Sequence, residues 1–228
     1  MLINTPLFYF PIFAKKNMPL FSLFSTAYFP PVEYFVQLLV ADSAYIELYE
    51  SYSKQSYRNR CCIAGRQGKQ TLSIPVNKIT GNHTLTKDIT IDFSTRWQQI
   101  HFRSIEAAYN NSPFFLFYRD AIAGFFENPP RRLIDFNTMI TRKILEWLKA
   151  EREIHFTESF IKNPENCYDF RFSIHPKTDT EMDFPVYTQV FSFSTGFSPN
   201  LSILDVLCNE GPGTMHYLQQ IICNLPRK

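Results

Sequence analysis

Hydrophobic and polar positions near the start of the chain follow two different periods. The apolar run LFSLFS (20–25) predicts a buried strand, and AYIELY (44–49) predicts a second one. Between them, residues 32–42 carry apolar side chains at the three- and four-residue spacing of an amphipathic helix. The order strand, helix, strand predicts a βαβ opening.

The middle of the chain changes from an extended to a helical pattern. Two extended segments around the turn GRQGK (65–69) predict a hairpin, and KDITIDF (87–93) predicts another strand. Apolar residues then recur at helical spacing in three successive stretches. The predicted helices begin with Ser94 as an N-cap, at Ser112-Pro113 and after Pro129-Pro130.

The last third is mixed. It predicts a strand at 153–157, a long polar loop over 162–183, an extended segment over 186–194, a short capped helix over 200–208 and a terminal helix after GPG (211–213). The whole pattern predicts an α/β or α+β fold. We expect a mixed sheet with a βαβ opening and a hairpin, packed by a helical middle section.

Residues 20–228 are predicted to form a single domain, and residues 1–19 a poorly ordered extension. The extension is apolar, but it lacks a basic n-region and two prolines interrupt it. Both features argue against a signal peptide. Met18 is an alternative start, since the first predicted strand begins at Leu20.

Composition limits the class of protein. With 23 Phe and 12 Tyr, the chain needs a core or pockets lined by rings. The net charge of +2 argues against a nucleic-acid-binding protein, which normally carries a strong basic excess. There is no run of eighteen apolar residues, so we expect no membrane span.

The cysteines, histidines and glycines restrict the metal sites and cofactors that the chain could hold. The five cysteines form no Cys-x-x-Cys pair, which argues against a zinc site and favours a reducing, cytoplasmic location. The histidines show no metal spacing, and neither a P-loop nor a Gly-x-Gly-x-x-Gly motif occurs. We therefore expect no metal and no cofactor. The sequence leaves the oligomeric state open.

The segment SYSKQSYRNRC (51–61) is the first candidate for a site. In an extended chain, the two-residue period places Lys54, Arg58 and Arg60 on one face. Arginine and lysine together suit phosphate or carboxylate groups. The alternative is a solvated face of a hairpin strand.

Three further groups have two interpretations each. His101, in the apolar stripe of its predicted helix, is either a hydrogen-bonded core residue or a general base. Glu47 and Glu50 either pair with the nearby arginines or serve as acid, base or amine ligand. NEGPG (209–213) is either a plain turn or an anion site at a helix start.

Several motifs, in order, resemble the WbqC-like protein family over about residues 20–220. They are Tyr28-Phe29-Pro30, Lys54 with Tyr57-Arg58-Asn59-Arg60, Leu72-Ser73-Ile74-Pro75-Val76, Trp97 with His101, Tyr109 with Ser112-Pro113-Phe114-Phe115, and NLSILDVLCNEGP (200–212). The Tyr-Arg-Asn-Arg and Asn-Glu-Gly-Pro runs are the most specific. The chain departs from the family pattern at Ser25-Thr26-Ala27, where many members have His-Gln-Pro.

The resemblance implies a role in making bacterial surface polysaccharide, O-antigen in particular. For one member, attachment of glycine to an amino sugar has been suggested. The resemblance therefore implies an aminoacyl or acyl transferase acting on a phosphorylated or nucleotide-linked sugar. The alternative is a non-catalytic protein that binds such a ligand or a pathway partner.

Acyl transfer to an amine needs a proton acceptor and a hydrogen-bond donor for the developing oxyanion. A nucleotide-linked sugar also needs groups that bind its diphosphate. The hypothesis assigns these roles to nine residues. Its catalytic residues are His101, Glu47 and Asn59, and its substrate-binding residues are Tyr28, Lys54, Tyr57, Arg58, Arg60 and Glu210.

Overall fold

The structure is a computed structural model that describes residues 21–225, except for the side chain of Asn82. The predicted extension over residues 1–19, and Leu20 of the first predicted strand, lie outside the described residues. The strands are β1 (Phe21–Phe24), β2 (Ala44–Ile46), β3 (Arg60–Gly65), β4 (Gly68–Ser73), β5 (Val76–Asn77), β6 (Thr90–Ile91), β7 (Ile154–Phe156) and β8 (Cys167–Asp169).

Helices make up most of the remaining regular structure. They are α1 (Val32–Val40), α2 (Trp97–Tyr109), α3 (Phe115–Glu127), α4 (Leu133–Trp147), the short α5 (Ser192–Thr195), α6 (Ile203–Glu210) and α7 (Thr214–Cys223). Three 3-10 turns lie at Gly81–His83, Thr86–Asp88 and Gly211–Gly213. Within the described residues, no helix is both long and apolar enough to cross a membrane.

A four-stranded parallel sheet organises the chain, in the order β7-β2-β1-β8. Strands β1 and β2 pair in parallel, with Ser22 opposite Ala44, and α1 connects them. The predicted βαβ opening and the mixed α/β class are therefore confirmed. Parallel strands need such a crossover, because a tight turn reverses the chain and would make the next strand antiparallel.

Two antiparallel pairs accompany the parallel sheet. Strands β3 and β4 form the predicted hairpin, in register from Arg60 opposite Ser73 to Gly65 opposite Gly68. Gly68 has a φ of 105°, a conformation that side chains with a Cβ rarely adopt. The second pair, β5 and β6, is only two residues long on each strand.

Aromatic side chains fill the core between these layers. Tyr28 packs on Phe136 with ring centroids 5.9 Å apart, and Trp97 packs edge-on against Phe136 at the same distance. Phe126 contacts Trp97 at 6.1 Å. The aromatic composition therefore reflects a ring-packed interior, which holds the loop after β1 against α2, α3 and α4.

Some predicted elements are wrong. The segment 162–183, predicted as a loop, contains β8, a three-residue strand too short for its pattern to show. Residues 192–195, predicted as extended, form α5. Ser94 does not cap α2, because the helix begins at Trp97 and Arg96 occupies the N-cap position, without a side-chain cap bond.

Candidate functional site

The carboxyl ends of the four parallel strands bring polar residues together. Ser25 follows β1, Glu47 follows β2, Thr157 follows β7 and Arg171 lies just beyond β8. The strand order reverses between β1 and β8, because β2 and β7 extend the sheet on the other side of β1. Ligands of open α/β sheets bind outside the carboxyl ends at such a reversal. This edge is therefore a candidate ligand site.

Glu47 at this edge is fully engaged within the protein. Its Oε1 accepts from Tyr49 N and from Thr157 Oγ1, at 2.9 and 2.7 Å. Its Oε2 accepts from Ile161 N and from Arg171 Nη1, at 3.1 and 3.2 Å. With two hydrogen bonds on each oxygen and no exposed surface, the carboxylate has little capacity left for a substrate. The geometry favours an internal anchor over a proton acceptor.

Arg58 forms a second buried ion pair at the same edge. Its Nε and Nη2 donate to the two carboxylate oxygens of Glu50, at 2.8 and 2.6 Å. The Nη2 also donates to Ser25 Oγ at 2.6 Å. Arg58 is 3% exposed and Glu50 is 2% exposed. Of the open interpretations of Glu50, pairing with an arginine is the one that the structure contains.

The predicted alignment of three cations along a strand is wrong. Residues 54–59 form turns, and β3 begins only at Arg60. Lys54 is exposed, Arg58 points into the core and Arg60 is half-buried. The buried carboxylate of Glu50 draws Arg58 inward, since a buried charge needs a partner. Neither the shared-face nor the solvated-face interpretation describes Arg58.

A smaller group of cations surrounds Tyr52. Lys78 Nζ lies 5.3 Å from the centre of the Tyr52 ring. Desolvation and the adjacent Lys54 ammonium lower the pKa of Lys78. Burial raises the pKa of Tyr52 to about 12, against the opposing charges of Arg58 and Arg60. We call Lys54, Lys78 and Arg60 the Tyr52 rim.

The Tyr52 rim carries uncompensated charge. Among residues 21–225, none of its three cations takes part in a salt bridge. Lys54 and Arg60 of the predicted cationic segment, together with Lys78, are therefore available to an anion.

His101 and Tyr28 form a buried pair beside the hairpin. The Tyr28 hydroxyl and His101 Nδ1 are 2.9 Å apart, and the side chains are 0% and 4% exposed. Burial lowers the pKa of His101 to about 4, with the backbone of Ser73 partly opposing the shift. His101 is therefore neutral at pH 7. Full burial leaves Tyr28 no face on which a ligand could stack.

Four buried polar atoms near this pair have no hydrogen-bond partner in the described chain. They are Asn59 Oδ1, Arg60 Nε, Trp97 Nε1 and Asn137 Oδ1. We call these four residues the unpaired polar cluster. Native structures leave few such atoms, so a group of them needs an explanation.

Contacts between neighbours bring the four residues of the unpaired polar cluster together. Asn59 and Arg60 are consecutive, and Asn137 Nδ2 donates to the carbonyl of Arg58 at 2.8 Å. The Trp97 ring lies 5.9 Å from the ring of Phe136, which precedes Asn137. Trp97 also contacts His101 at 5.2 Å. The four residues therefore belong to the region where the turn before β3 meets α2 and α4.

Comparison with known proteins identifies the family. The model of the WbqC-like protein family matches residues 26–181. The chain belongs to this family. It is also 26% identical over 222 residues to a Mycobacterium tuberculosis protein described as "Uncharacterized protein Rv1507c", which covers 84% of this chain and 94% of that protein. No solved structure matches the chain at a significant level.

The matched part of this WbqC-like chain contains the Tyr52 rim, the unpaired polar cluster and, apart from Ser25, the polar residues of the sheet edge. Glu210, at the end of α6, lies beyond it. In the described residues, no hydrogen bond or ion pair joins Glu210 to the other predicted site residues. The neighbouring Gly211 packs on Phe114, where a Cβ would lie 2.4 Å from the ring. Packing therefore accounts for the glycine of NEGPG.

Two other predicted residues are held by the backbone. Asn59 Nδ2 donates to the carbonyl of Ile74 at 2.7 Å, and the atom of Asn59 without a partner in the described chain is the acceptor Oδ1, which cannot polarise a carbonyl. Tyr57 is half-buried, and its carbonyl accepts from Tyr28 N at 2.9 Å. The structure thus brings Tyr28, Asn59, Arg60 and His101 into one neighbourhood.

Sequence reasoning missed four residues of this region. Lys78 lies outside the predicted cationic segment, and no motif distinguishes Asn137 from the other residues of its helix. Asp169 and Arg171 lie at a strand that was predicted as a loop. Arg171 donates to both oxygens of Asp169, at 2.9 and 2.7 Å. If residues 167–169 had been predicted as a strand, this pair would have been placed at the sheet edge.

A more open groove on the described residues lies elsewhere. It is a groove of about 660 Å³ along α3 and α4, open to solvent and lined in part by Phe125, Met139 and Arg142. It contains none of the predicted site residues, so we do not take it as the site. A pocket of about 10 Å³, close to the size of one water molecule, lies beside Ser25 and Arg58. Within the described residues, no three His, Cys, Asp or Glu side chains are placed to hold a metal ion.

Proposed function

We propose that this WbqC-like chain is an enzyme of bacterial surface-polysaccharide biosynthesis. It transfers an acyl group, such as glycine, to an amino sugar that is carried on a nucleoside diphosphate. The observation that carries the proposal is the Tyr52 rim, a group of cations without acidic partners in the described chain.

The rim suits a diphosphate for an electrostatic reason. Two like charges close together repel each other, and an anion between them relieves the repulsion. The Lys54 ammonium lowers the pKa of Lys78, which is the sign of such repulsion. The third cation, Arg60, adds a fork of donors that matches phosphate oxygens.

In the proposed reaction, the amine of the sugar attacks the carbonyl carbon of an activated acyl donor. A carbon–nitrogen bond forms, the bond from the carbonyl to the leaving group breaks, and the amine gives up a proton. Asn59 Oδ1, which has no partner among residues 21–225, can accept a hydrogen bond from the incoming amine. His101 is the proton acceptor of this proposal, because it is neutral at pH 7.

One observation favours a second candidate, a non-catalytic binding protein. A general base works best when its pKa lies near the working pH. The pKa of His101 is lowered to about 4, and Glu47 already accepts four hydrogen bonds. Phosphate recognition at the rim requires neither group, so binding without chemistry fits the same geometry.

The test combines a binding and a transfer experiment. Calorimetry measures the affinity of the full chain for UDP- and dTDP-linked amino sugars, in the wild type and in the variants Lys54→Ala and Lys78→Ala. We expect each substitution to weaken binding about five- to ten-fold. Lys143→Ala, which removes a lysine already paired with Glu146 at 2.7 Å, is the matched control and should bind normally.

Mass spectrometry then detects acylated sugar after incubation with an activated glycine donor. Binding with product supports the transferase, and binding without product supports the second candidate. If the wild type binds none of these ligands, or both lysine variants bind like the control, the rim is not a phosphate site and the proposal is wrong.

A further inference from the structure

The start of α3 exposes two large apolar side chains next to each other. Leu116 is 73% exposed and Phe117 is 78% exposed, whereas the other aromatic rings of this helix are buried. Single apolar residues on a surface need no explanation, but contiguous apolar patches mark interaction sites. The pair therefore indicates a surface that another molecule covers.

Phe117 belongs to the face of α3 that forms one wall of the groove of about 660 Å³. Ala121 and Gly124 line this groove, and they follow Phe117 by four and seven residues. Residues at these spacings share one face of a helix. The exposed ring and the groove are therefore parts of one surface, whose other wall is α4 with Met139 and Arg142.

Nothing among the described residues requires a glycine at position 124. A Cβ built on Gly124 would meet no atom within 4 Å, and its φ is not in the left-handed region. Glycine inside a helix is less favourable than alanine, so the helix itself does not explain it. Glycine does allow a close approach by another molecule. The open space above Gly124 is thus suited to an incoming side chain.

The shape of the groove favours an elongated partner. Small-ligand sites bury most of the ligand surface, whereas this groove is open to solvent. The α3 helix of a second copy would supply both a rod and the exposed ring. A two-fold axis near Asp120 and Ala121 makes the two helices antiparallel and places Phe117 of each copy against Gly124 of the other.

The charges along the groove complement each other in this arrangement. Asp120 is 95% exposed and is paired only with the neighbouring Arg119, at 3.3 Å. Arg142 is exposed and takes part in no salt bridge among residues 21–225. Tyr118 at the start of α3 packs on Trp147 at the end of α4, with ring centroids 5.0 Å apart. The helices are therefore antiparallel, Arg142 lies across the groove from the middle of α3, and Asp120 of the second copy reaches it.

We propose that the groove between α3 and α4 is the interface of a two-fold dimer of this chain. Phe117 of each copy enters the groove of the other beside Gly124, and Asp120 of each copy pairs with Arg142 of the other. The inference goes beyond the proposed function and depends on neither the Tyr52 rim nor acyl transfer.

Analytical ultracentrifugation of the full chain, from about 1 to 100 μM, measures dimerisation by mass action. We expect the mass of two chains for the wild type. Phe117→Ala should raise the dissociation constant at least about ten-fold, because an aromatic anchor is lost twice in a two-fold interface. Phe193→Ala is the matched control, since it removes a fully exposed ring of α5, and it should dimerise normally.

Two further tests separate dimerisation from folding. Gly124→Leu fills the groove without meeting another atom of its own chain at the Cβ, and leucine favours a helix. This variant should keep the circular dichroism spectrum of the wild type and sediment as a monomer. Asp120→Arg and Arg142→Asp should each weaken the dimer about ten-fold, and the double variant should restore it, because opposite charges then face each other again.

Three results would overturn the proposal. The first is a wild type that stays monomeric; if removal of residues 1–17 then produces the dimer, the apolar start of the chain covers the groove instead. The second is a dimer that persists in both Phe117→Ala and Gly124→Leu, because it must use another surface. The third is a double charge variant that dimerises no better than the single variants, which would refute the two-fold arrangement.

Discussion

Removal of the Arg58 side chain should strongly destabilise this protein. Arg58 and Glu50 are joined by two hydrogen bonds of 2.8 and 2.6 Å, with 3% and 2% of the side chains exposed. In Arg58→Ala, Glu50 keeps only Ser25, at 3.2 Å, and Thr86, at 3.5 Å. The substitution therefore leaves a buried carboxylate without its ion-pair partner, and a cavity beside it.

The expected loss follows from this geometry. Breaking a buried ion pair from one side costs about 3–5 kcal/mol, because the remaining charge stays out of water. The bond from Arg58 Nη2 to Ser25 Oγ, at 2.6 Å, is lost as well. Domains of this size have unfolding free energies of about 5–15 kcal/mol, so the variant should retain only part of its stability.

The chain offers a control with nearly the same ion-pair geometry. Arg132 donates to both oxygens of Asp135, at 2.7 and 3.0 Å, but these side chains are 59% and 42% exposed. Arg132→Ala should cost at most about 1 kcal/mol. Urea unfolding followed by circular dichroism measures both variants. A difference between them below about 1 kcal/mol would refute the argument that burial sets the value of the Arg58 pair.

The remaining predictions concern pH, packing and a helix cap. The folded pKa of His101, about 4, lies below the unfolded value of 6.5, so this group destabilises the fold as pH falls from 6.5 towards 4. The effect reaches about 3 kcal/mol. The unfolding free energy, measured with urea from pH 6.5 to pH 4, should fall less steeply in His101→Gln than in the wild type, and equal falls would contradict the prediction. Gly211→Ala should cost more than about 2 kcal/mol, since φ is 52° and the Cβ would lie 2.4 Å from Phe114. Gly213→Ala, with its nearest contact at 3.7 Å, is the control, and equal midpoints in thermal unfolding would refute the clash. Ser202→Ala removes the N-cap of α6 and should lower the unfolding free energy, measured with urea, by about 1 kcal/mol. An unchanged unfolding free energy would show that the cap does not stabilise the protein.

The cationic segment shows why a local pattern was insufficient for the site. The two-residue period placed Lys54, Arg58 and Arg60 together, yet in the structure each lies in a different environment. The partner that decides the direction of Arg58 is Glu50, eight residues earlier, and the bond reaches it only because residues 54–59 turn. A substitution at Arg58 would therefore test folding before it tests binding, whereas Lys54 and Lys78 test binding directly.

By itself, the sequence determined the elements whose signal is local and long enough to repeat. The period of α1, the length of α4 and the hairpin turn at 65–69 each depend on neighbouring residues, and each is present in the structure. The family could also be recognised from the order of its motifs, and the family model that matches residues 26–181 confirms it.

Only the tertiary structure decided which polar residues face one another. Strand β8 has three residues, too few for a period, and it forms because β1 offers an open edge more than a hundred residues away in the chain. Asn137 and Trp97 join Asn59 only because α2 and α4 pack on the same turn. Pairing and burial of this kind depend on contacts between distant segments. These contacts make Arg58 an internal anchor and leave the Tyr52 rim without an acidic partner among residues 21–225.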